Sequence, residues 1–124
     1  MRKQANESLL IYLLFDFALE TASFTVRLES GVLAEDLPIP KNNKFDLYVR
    51  LFIKDQTYKT PVSVDCNRKP SWGKEAVYNF FESRILDGDY AMQFEVWNYA
   101  TEIGDVLICS GQLDILSVFN KARA

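Results

Sequence analysis

The sequence predicts an all-β fold, an antiparallel Greek-key β-sandwich with eight strands, or with seven and a partial eighth. Short segments alternate between apolar and polar residues, and Gly, Pro, Asn and Asp cluster between them. Of the 124 residues, 48% are hydrophobic and 14% aromatic, which suits one packed core. We therefore expect a single domain over residues 1–124, with its core at about 9–115 and terminal extensions at 1–8 and 116–124.

The first two predicted strands differ in how many of their faces are apolar. Residues 9–19 are apolar on both faces, apart from Asp16, and are rich in residues that favour strands. Residues 24–29 alternate strictly, so one face lies in the core and the other in water. The segment EDLPIPKNN at 35–43 predicts a loop, because prolines and asparagines are poorly tolerated in a strand.

The remaining strands are short and are separated by turn signals. In the third strand, the alternation turns four apolar residues inward: Leu47, Val49, Leu51 and Ile53. The segment KDQT connects this strand to a fourth strand near 58–64. Alternation and turn signals predict further strands at 76–81, 92–97 and 106–113.

Five short motifs occur in an order that is informative when they are taken together. In chain order they are VRLESGVL at 26–33, Asp46-Leu47-Tyr48-Val49, Lys59-Thr60, Pro70-Ser71-Trp72 and Val96-Trp97-Asn98. From about residue 9 to 115, this order resembles that of C2 domains with the synaptotagmin-like strand arrangement. The resemblance implies an eight-stranded sandwich that acts as a recognition module.

The resemblance also identifies the positions that hold calcium in calcium-binding C2 domains. There, aspartates of the first and third loops hold the ion at one end of the sandwich. Asp46 matches one such position, Asp36 approximates another, and either Asp105 or Glu102 could take the last. Asn98 and Ala100 stand where the third-loop aspartates are expected. Calcium takes about 6–8 oxygen ligands, and its affinity depends on the charge of those ligands. Because two carboxylates are missing, we expect no calcium binding. We also expect no other cofactor. The alternative role for Asp46 is a structural cap.

The outward face of the third and fourth strands is the first candidate interaction surface. By resemblance, this is where C2 domains bind phosphoinositide or phosphatidylserine head groups. Cations there contribute about 1 kcal/mol each near an anionic bilayer, whereas aromatic residues with arginine favour a protein interface. Neighbouring strands, or Tyr12 and Leu14, could instead cover the aromatic side chains. The residues of this candidate surface are Arg27, Tyr48, Arg50, Phe52, Lys54 and Lys59.

The loop tips form the second candidate surface. They carry Leu37 and Ile39 in the first loop and Tyr99 and Ile103 in the third. By resemblance, such residues enter a bilayer in related domains. They could equally contact a protein, or the prolines of the first loop could fold them back onto the sandwich.

Charge and residue usage exclude several classes of function. Seventeen acidic and fourteen basic residues give a net charge of −3, which argues against a dedicated nucleic-acid binder. The chain has no histidine, no glycine-rich phosphate loop and no nucleophile motif, so it does not predict an enzyme. Its two cysteines, Cys66 and Cys109, allow at most one disulfide, and Cys109 is expected to be a buried thiol.

The predicted function is that of a non-catalytic, calcium-independent protein-interaction or scaffolding domain of a larger intracellular protein. The expected location is the cytoplasm, including membrane or cytoskeletal surfaces, because the apolar run at 9–15 is too short for a membrane span and is followed by Asp16. The alternative is a peripheral membrane domain that binds anionic phospholipid or phosphoinositide through the basic strand face. The eighth strand is either missing, which leaves an edge for a partner strand, or supplied by residues 118–120.

Overall fold

The computed structural model describes residues 2–7, 11–20, 23–34, 45–73, 75–81, 91–100 and 104–115. These residues form two antiparallel four-stranded sheets, which confirms the predicted all-β sandwich. Sheet A has the strand order β1-β2-β3-β6, and sheet B has the order β5-β4-β7-β8. The strands are β1 (Arg2–Glu7), β2 (Ile11–Glu20), β3 (Ser23–Leu33), β4 (Leu47–Ile53), β5 (Gln56–Lys59), β6 (Val77–Phe81), β7 (Ala91–Asn98) and β8 (Val106–Asp114).

The core lies between the two sheets and is built by alternate residues of their strands. In β4 the four residues predicted to face inward are fully buried, as are Phe24, Val26 and Leu28 of β3. Each such side chain stabilises the fold by about 1.5–3 kcal/mol through its removal from water. None of the described residues belongs to a helix long and apolar enough to cross a membrane.

The eighth strand comes from the N-terminus, which corrects the expectation that residues 1–8 form a terminal extension. β1 pairs with β2, with Glu7 opposite Ile11 and Arg2 opposite Asp16. The sequence RKQANE lacks alternating apolar residues, so the strand gave no periodic signal. Because β1 pairs with β2 and supplies the eighth strand, the alternative in which that strand is missing is wrong. Residues 118–120 lie outside the described part of the chain.

The fourth predicted strand is shorter than expected and ends at Lys59. A proline follows at position 61, and its missing N–H prevents a regular ladder from continuing. Thr60 is buried, and its hydroxyl accepts a hydrogen bond from the Val49 N–H at 2.9 Å. Farther on, Ser63 pairs with Leu47 as an isolated bridge. The segment after β5 therefore stays attached to β4 without being a strand.

Aromatic side chains join the two sheets along the side formed by β5 and β6. The ring of Tyr58 from sheet B stacks on that of Tyr78 from sheet A, with 5.0 Å between centroids. Tyr58 also meets Phe80 edge to face at 5.0 Å. The Tyr78 hydroxyl donates a hydrogen bond to the Lys59 carbonyl at 3.1 Å. These contacts close the core where both edge strands are short.

Both cysteines are free thiols, so the one disulfide that the sequence allowed does not form. Cys109 is buried, as predicted, whereas Cys66 is half-buried. Burial raises the pKa of the Cys66 thiol above its usual value. The Cys66 thiol is therefore not expected to act as a nucleophile, because the thiolate is the reactive form.

Candidate functional site

The outer face of sheet B gathers most of the residues that the sequence predicted for an interaction surface. Cross-strand partners point to the same face of a sheet, so the register identifies its members. Arg50 lies between Lys59 of β5 and Glu95 of β7. We call this surface the sheet B face, and it consists of Tyr48, Arg50, Phe52, Thr57, Lys59, Ala91, Gln93, Glu95, Trp97, Leu107, Ser110, Gln112 and Asp114.

Glu95 lies at the centre of the sheet B face and balances the charge of Arg50. Its Oε1 atom lies 3.8 Å from Arg50 Nη1 and accepts a hydrogen bond from Trp97 Nε1 at 3.1 Å. The guanidinium of Arg50 also lies 5.4 Å from the centroid of the Phe52 ring, within the range of a cation–π contact. The cation is thus held between a carboxylate and an aromatic ring.

Glu95 and Trp97 were not among the residues predicted for this surface. The alternation of strand 92–97 already turned them away from the core. Their importance depends on β7 lying next to β4, with Glu95 opposite Arg50. Strand neighbours that are distant in sequence are fixed by the packing of the whole sandwich, so a local pattern could not identify this pair.

Tyr48 is covered on the sheet B face by two charged residues. Its side chain is only 5% exposed, and Lys59 Nζ lies 4.4 Å from the ring centroid. Its hydroxyl donates a hydrogen bond to Asp105 Oδ2. Burial, followed by this hydrogen bond and the charge of Asp105, raises the pKa of Tyr48 to about 12. The cover comes from these neighbours and not from Tyr12 or Leu14, which lie on β2 in sheet A.

Arg27 lies away from the sheet B face, so the expectation that it joins that surface is wrong. It belongs to β3 in sheet A, where Nη2 lies 3.1 Å from Glu29 Oε1 and Nη1 lies 3.9 Å from Asp16 Oδ2. The sequence placed Arg27 on an outward face correctly but did not show which sheet that face belongs to. Lys54 is exposed in the turn between β4 and β5, with a positive φ of 51°.

Asp46 and Asn98 tie together three segments at one end of the sandwich. The Asp46 N–H donates to Asn98 Oδ1 at 2.8 Å, and Asp46 Oδ1 accepts from the Asp65 N–H at 2.6 Å. The Asp46 carbonyl also accepts a hydrogen bond from the Tyr99 N–H at 2.7 Å. Asn98 is only 5% exposed. The structural role considered for Asp46 is therefore present in the structure.

Asp105 is also engaged in hydrogen bonds within the domain. Oδ2 accepts from the Tyr48 hydroxyl, and Oδ1 accepts from the Ala100 N–H at 3.2 Å. The Tyr48 hydrogen bond, then the Ala100 hydrogen bond and the charge of Lys59, lower the pKa of Asp105. Within the described segments, no group of three or more His, Cys, Asp or Glu residues is placed to hold a metal ion.

Several large apolar side chains are exposed near this end of the sandwich. Tyr99, a predicted tip residue, is 42% exposed, and Val64 is 72% exposed. The first residues of β8, Val106 and Leu107, are 43% and 45% exposed. Sequence reasoning placed these three aliphatic residues in predicted strands and did not identify them as exposed. The other residues assigned to the loops, Asp36, Leu37, Ile39, Glu102 and Ile103, lie outside the described residues.

Comparison with known proteins identifies the family. A family model for the C2 domain matches residues 27–123, which is more than half of the chain. The chain belongs to the C2 domain family. Its structure resembles that of a C2 domain of RIM from Drosophila, with a TM-score of 0.65, 16% identity and 86% of each chain covered. No curated protein sequence matches it significantly.

A second C2 structure is also similar. It is a C2 domain-containing protein from a putative elicitor-responsive gene, with a TM-score of 0.63 and 20% identity, and the match covers 86% of this chain and 72% of that chain. Both likenesses establish the fold of the C2 domain, and C2 domains are interaction modules that bind membrane lipids or proteins.

Proposed function

We propose that this C2 domain is a non-catalytic, calcium-independent module that binds a protein partner through the sheet B face. The observation that carries the proposal is the position of Glu95, which contacts both Arg50 and Trp97 at the centre of that face. A surface that binds anionic lipid gains from cations that no anion balances. Here Glu95 and Asp105 accompany Arg50 and Lys59, so the electrostatic attraction to a bilayer is weakened.

The composition of the sheet B face supports a protein partner. Trp and Arg are among the residues that most often dominate protein interfaces, and this face carries Trp97 and Arg50 beside Phe52. A shallow depression between β7 and β8 is lined by polar side chains of the face, Gln93, Glu95, Ser110 and Gln112. Gln93, Ser110 and Gln112 give the face a polar border on the β8 side of its aromatic residues, and a polar rim is usual at interfaces.

The proposed partner site is tested by affinity capture from a cell extract with wild-type and Phe52→Ala domains. Phe52 is half-buried, and its loss removes an apolar anchor together with the surface on which Arg50 rests. We expect specific partners to lose binding by about tenfold or more, corresponding to about 1.4 kcal/mol. Phe81→Ala is the matched control, since Phe81 is 60% exposed on sheet A. Equal capture by both variants would rule out the sheet B face.

Calcium independence is proposed from the hydrogen bonds of the loop end. Asn98 and Ala100 supply no carboxylate, and oxygens of Asp46 and Asp105 already accept bonds within the domain. Because a lower ligand charge weakens calcium binding, isothermal titration is expected to show no binding in the micromolar range. Micromolar binding that Asp46→Ala abolishes would contradict this proposal.

The alternative function is binding of anionic phospholipid through Arg50, Lys54 and Lys59. It is favoured by the exposure of Lys54 in the turn between β4 and β5 and of Lys59, which lies opposite Arg50 on β5. The location proposed for either function is the cytoplasm, within a larger protein. The two free thiols support this location because reducing compartments keep cysteines unpaired.

A further inference from the structure

β1 pairs with β2 in sheet A but has almost no apolar residues of its own. Its sequence, RKQANE, contains one apolar residue, Ala5, and that residue is small. The paired part of β2 is strongly apolar, and its residues Ile11, Leu13 and Phe15 are at most 1% exposed. A strand that is polar on both sides specifies its pairing weakly and is prone to alternate pairing and to domain swapping.

The connection between β1 and β2 has a sequence that disfavours a tight turn. Glu7 pairs with Ile11, so only three residues, Ser8, Leu9 and Leu10, join the two strands. A three-residue hairpin loop normally contains glycine at a position with a left-handed backbone. A bulky residue such as leucine rarely adopts that conformation. The sequence of the connection therefore favours an extended chain over a closed hairpin.

The apolar alternation of β2 also continues into this connection. Leu9 belongs to the same alternate set as Ile11, Leu13 and Phe15. This continuation is why the sequence predicts a strand that begins at residue 9, whereas β2 begins at Ile11 within the single chain. An extended connection would satisfy this pattern, because it lengthens the strand towards β1.

We propose that two copies of this chain exchange β1, so that β1 of each copy pairs with β2 of the other. The register is the one seen within a single chain, in which Arg2 lies opposite Asp16 and Glu7 opposite Ile11. When the connection is extended, this register places the twofold axis at Leu9. The occupant is a second copy because the strand that pairs with β2 is this chain's own β1. The proposal does not depend on the function proposed above.

The exchange keeps the pairing of the closed domain and adds pairing at the connection. Each β1–β2 pair that breaks within a chain is remade between the two copies. In addition, Leu9 lies opposite Leu9 of the second copy, and Ser8 lies opposite its Leu10, so apolar residues meet across the new part of the ladder. Because two molecules must associate, the share of dimer should rise with concentration. Because β1 must first leave β2, exchange is best reached by refolding the copies together.

Cross-linking between two different single-cysteine chains tests the exchange. Asn6 lies opposite Tyr12 in the pairing of β1 with β2. Both native cysteines are first removed by Cys66→Ser and Cys109→Ala. Chains with Asn6→Cys and chains with Tyr12→Cys are then mixed, refolded together from urea at high concentration and oxidised. Directly opposite residues are close enough for a disulfide, so exchange should give a linked heterodimer.

Each single-cysteine chain refolded alone is the control for this experiment. In the exchanged dimer, equal cysteines of the two copies are separated by six residues of strand, or about 20 Å, which is too far for a disulfide. Neither chain alone should therefore give a linked dimer. A mixture that yields no more linked dimer than the separate chains would overturn the proposal.

Sedimentation equilibrium of the wild-type chain, refolded in the same way, measures the dimer directly. A species of twice the monomer mass of 14.3 kDa is expected to grow with concentration. Leu10→Gly gives the connection a residue that suits a closed hairpin and is expected to raise the dimer Kd by about tenfold or more. Ala18→Gly, on β2 beyond the segment paired with β1, should leave the Kd unchanged. A constant monomer mass, or an unchanged Kd for Leu10→Gly, would contradict the exchange.

Discussion

Replacing Phe80 with alanine is expected to lower the free energy of unfolding by about 3–5 kcal/mol, as large-to-small substitutions of buried aromatic residues do. Phe80 is fully buried on β6 and contacts the Tyr58 ring from the opposite sheet. Its loss removes apolar surface from the core and leaves a cavity between the two short edge strands. Urea unfolding followed by far-ultraviolet circular dichroism measures the change.

Phe81 provides a control for the same substitution at the next position. It lies on the opposite face of β6 and is 60% exposed. Because surface substitutions usually change stability by at most about 0.5 kcal/mol, Phe81→Ala should unfold almost as the wild type does. Equal destabilisation by the two variants would mean that β6 is not oriented as described.

Replacing Asn98 with leucine is expected to cost about 1–3 kcal/mol, although leucine is similar in size. The Asn98 side chain is buried and accepts the hydrogen bond of the Asp46 N–H. Leucine cannot accept that bond, so the donor loses its partner at the junction of β4 and β7. Thermal or urea unfolding, compared at equal protein concentration, measures the loss.

Asn79→Leu is the matched control for the loss of an asparagine hydrogen bond. Asn79 is exposed on β6, and its side chain accepts a bond from the Thr25 hydroxyl at 2.8 Å. Water can replace that partner, so the expected cost is smaller than at Asn98. If Asn98→Leu were as stable as the wild type, the bond to Asp46 would not be what holds the loop end together.

Alternation predicted the strands that bury every second residue, and the structure confirms them. β4 is the clearest case, because its four inward residues are fully buried. β1 could not be predicted in this way, since RKQANE has no apolar period and the strand depends on pairing with β2. The length of β5 was overestimated because the alternation continues past Pro61 while the ladder ends at Lys59.

The candidate site was predictable only in part. The alternation of β4 placed Tyr48, Arg50 and Phe52 on one face, and the register confirms that they share it. It did not show that Lys59 and Asp105 bury Tyr48, or that Glu95 lies beside Arg50. Those contacts join residues from strands and loops far apart in sequence. The charge balance of the face is therefore a property of tertiary structure.

Co-sedimentation with phosphatidylserine vesicles in the presence of a calcium chelator, with neutral vesicles for comparison, tests whether the sheet B face avoids anionic lipid. If Glu95 is what makes the sheet B face unsuited to anionic lipid, the wild-type domain should remain in solution. Glu95→Gln releases Arg50 from its carboxylate and should increase vesicle binding by about fivefold, which corresponds to about 1 kcal/mol.

Glu75→Gln changes the net charge by the same amount at an exposed turn between β5 and β6, so it should bind no better than the wild type. Vesicle binding confined to Glu95→Gln is the result we predict. Strong binding of the wild-type domain to anionic vesicles in chelator, lost in Lys59→Glu, would contradict the account and establish the sheet B face as a lipid-binding surface.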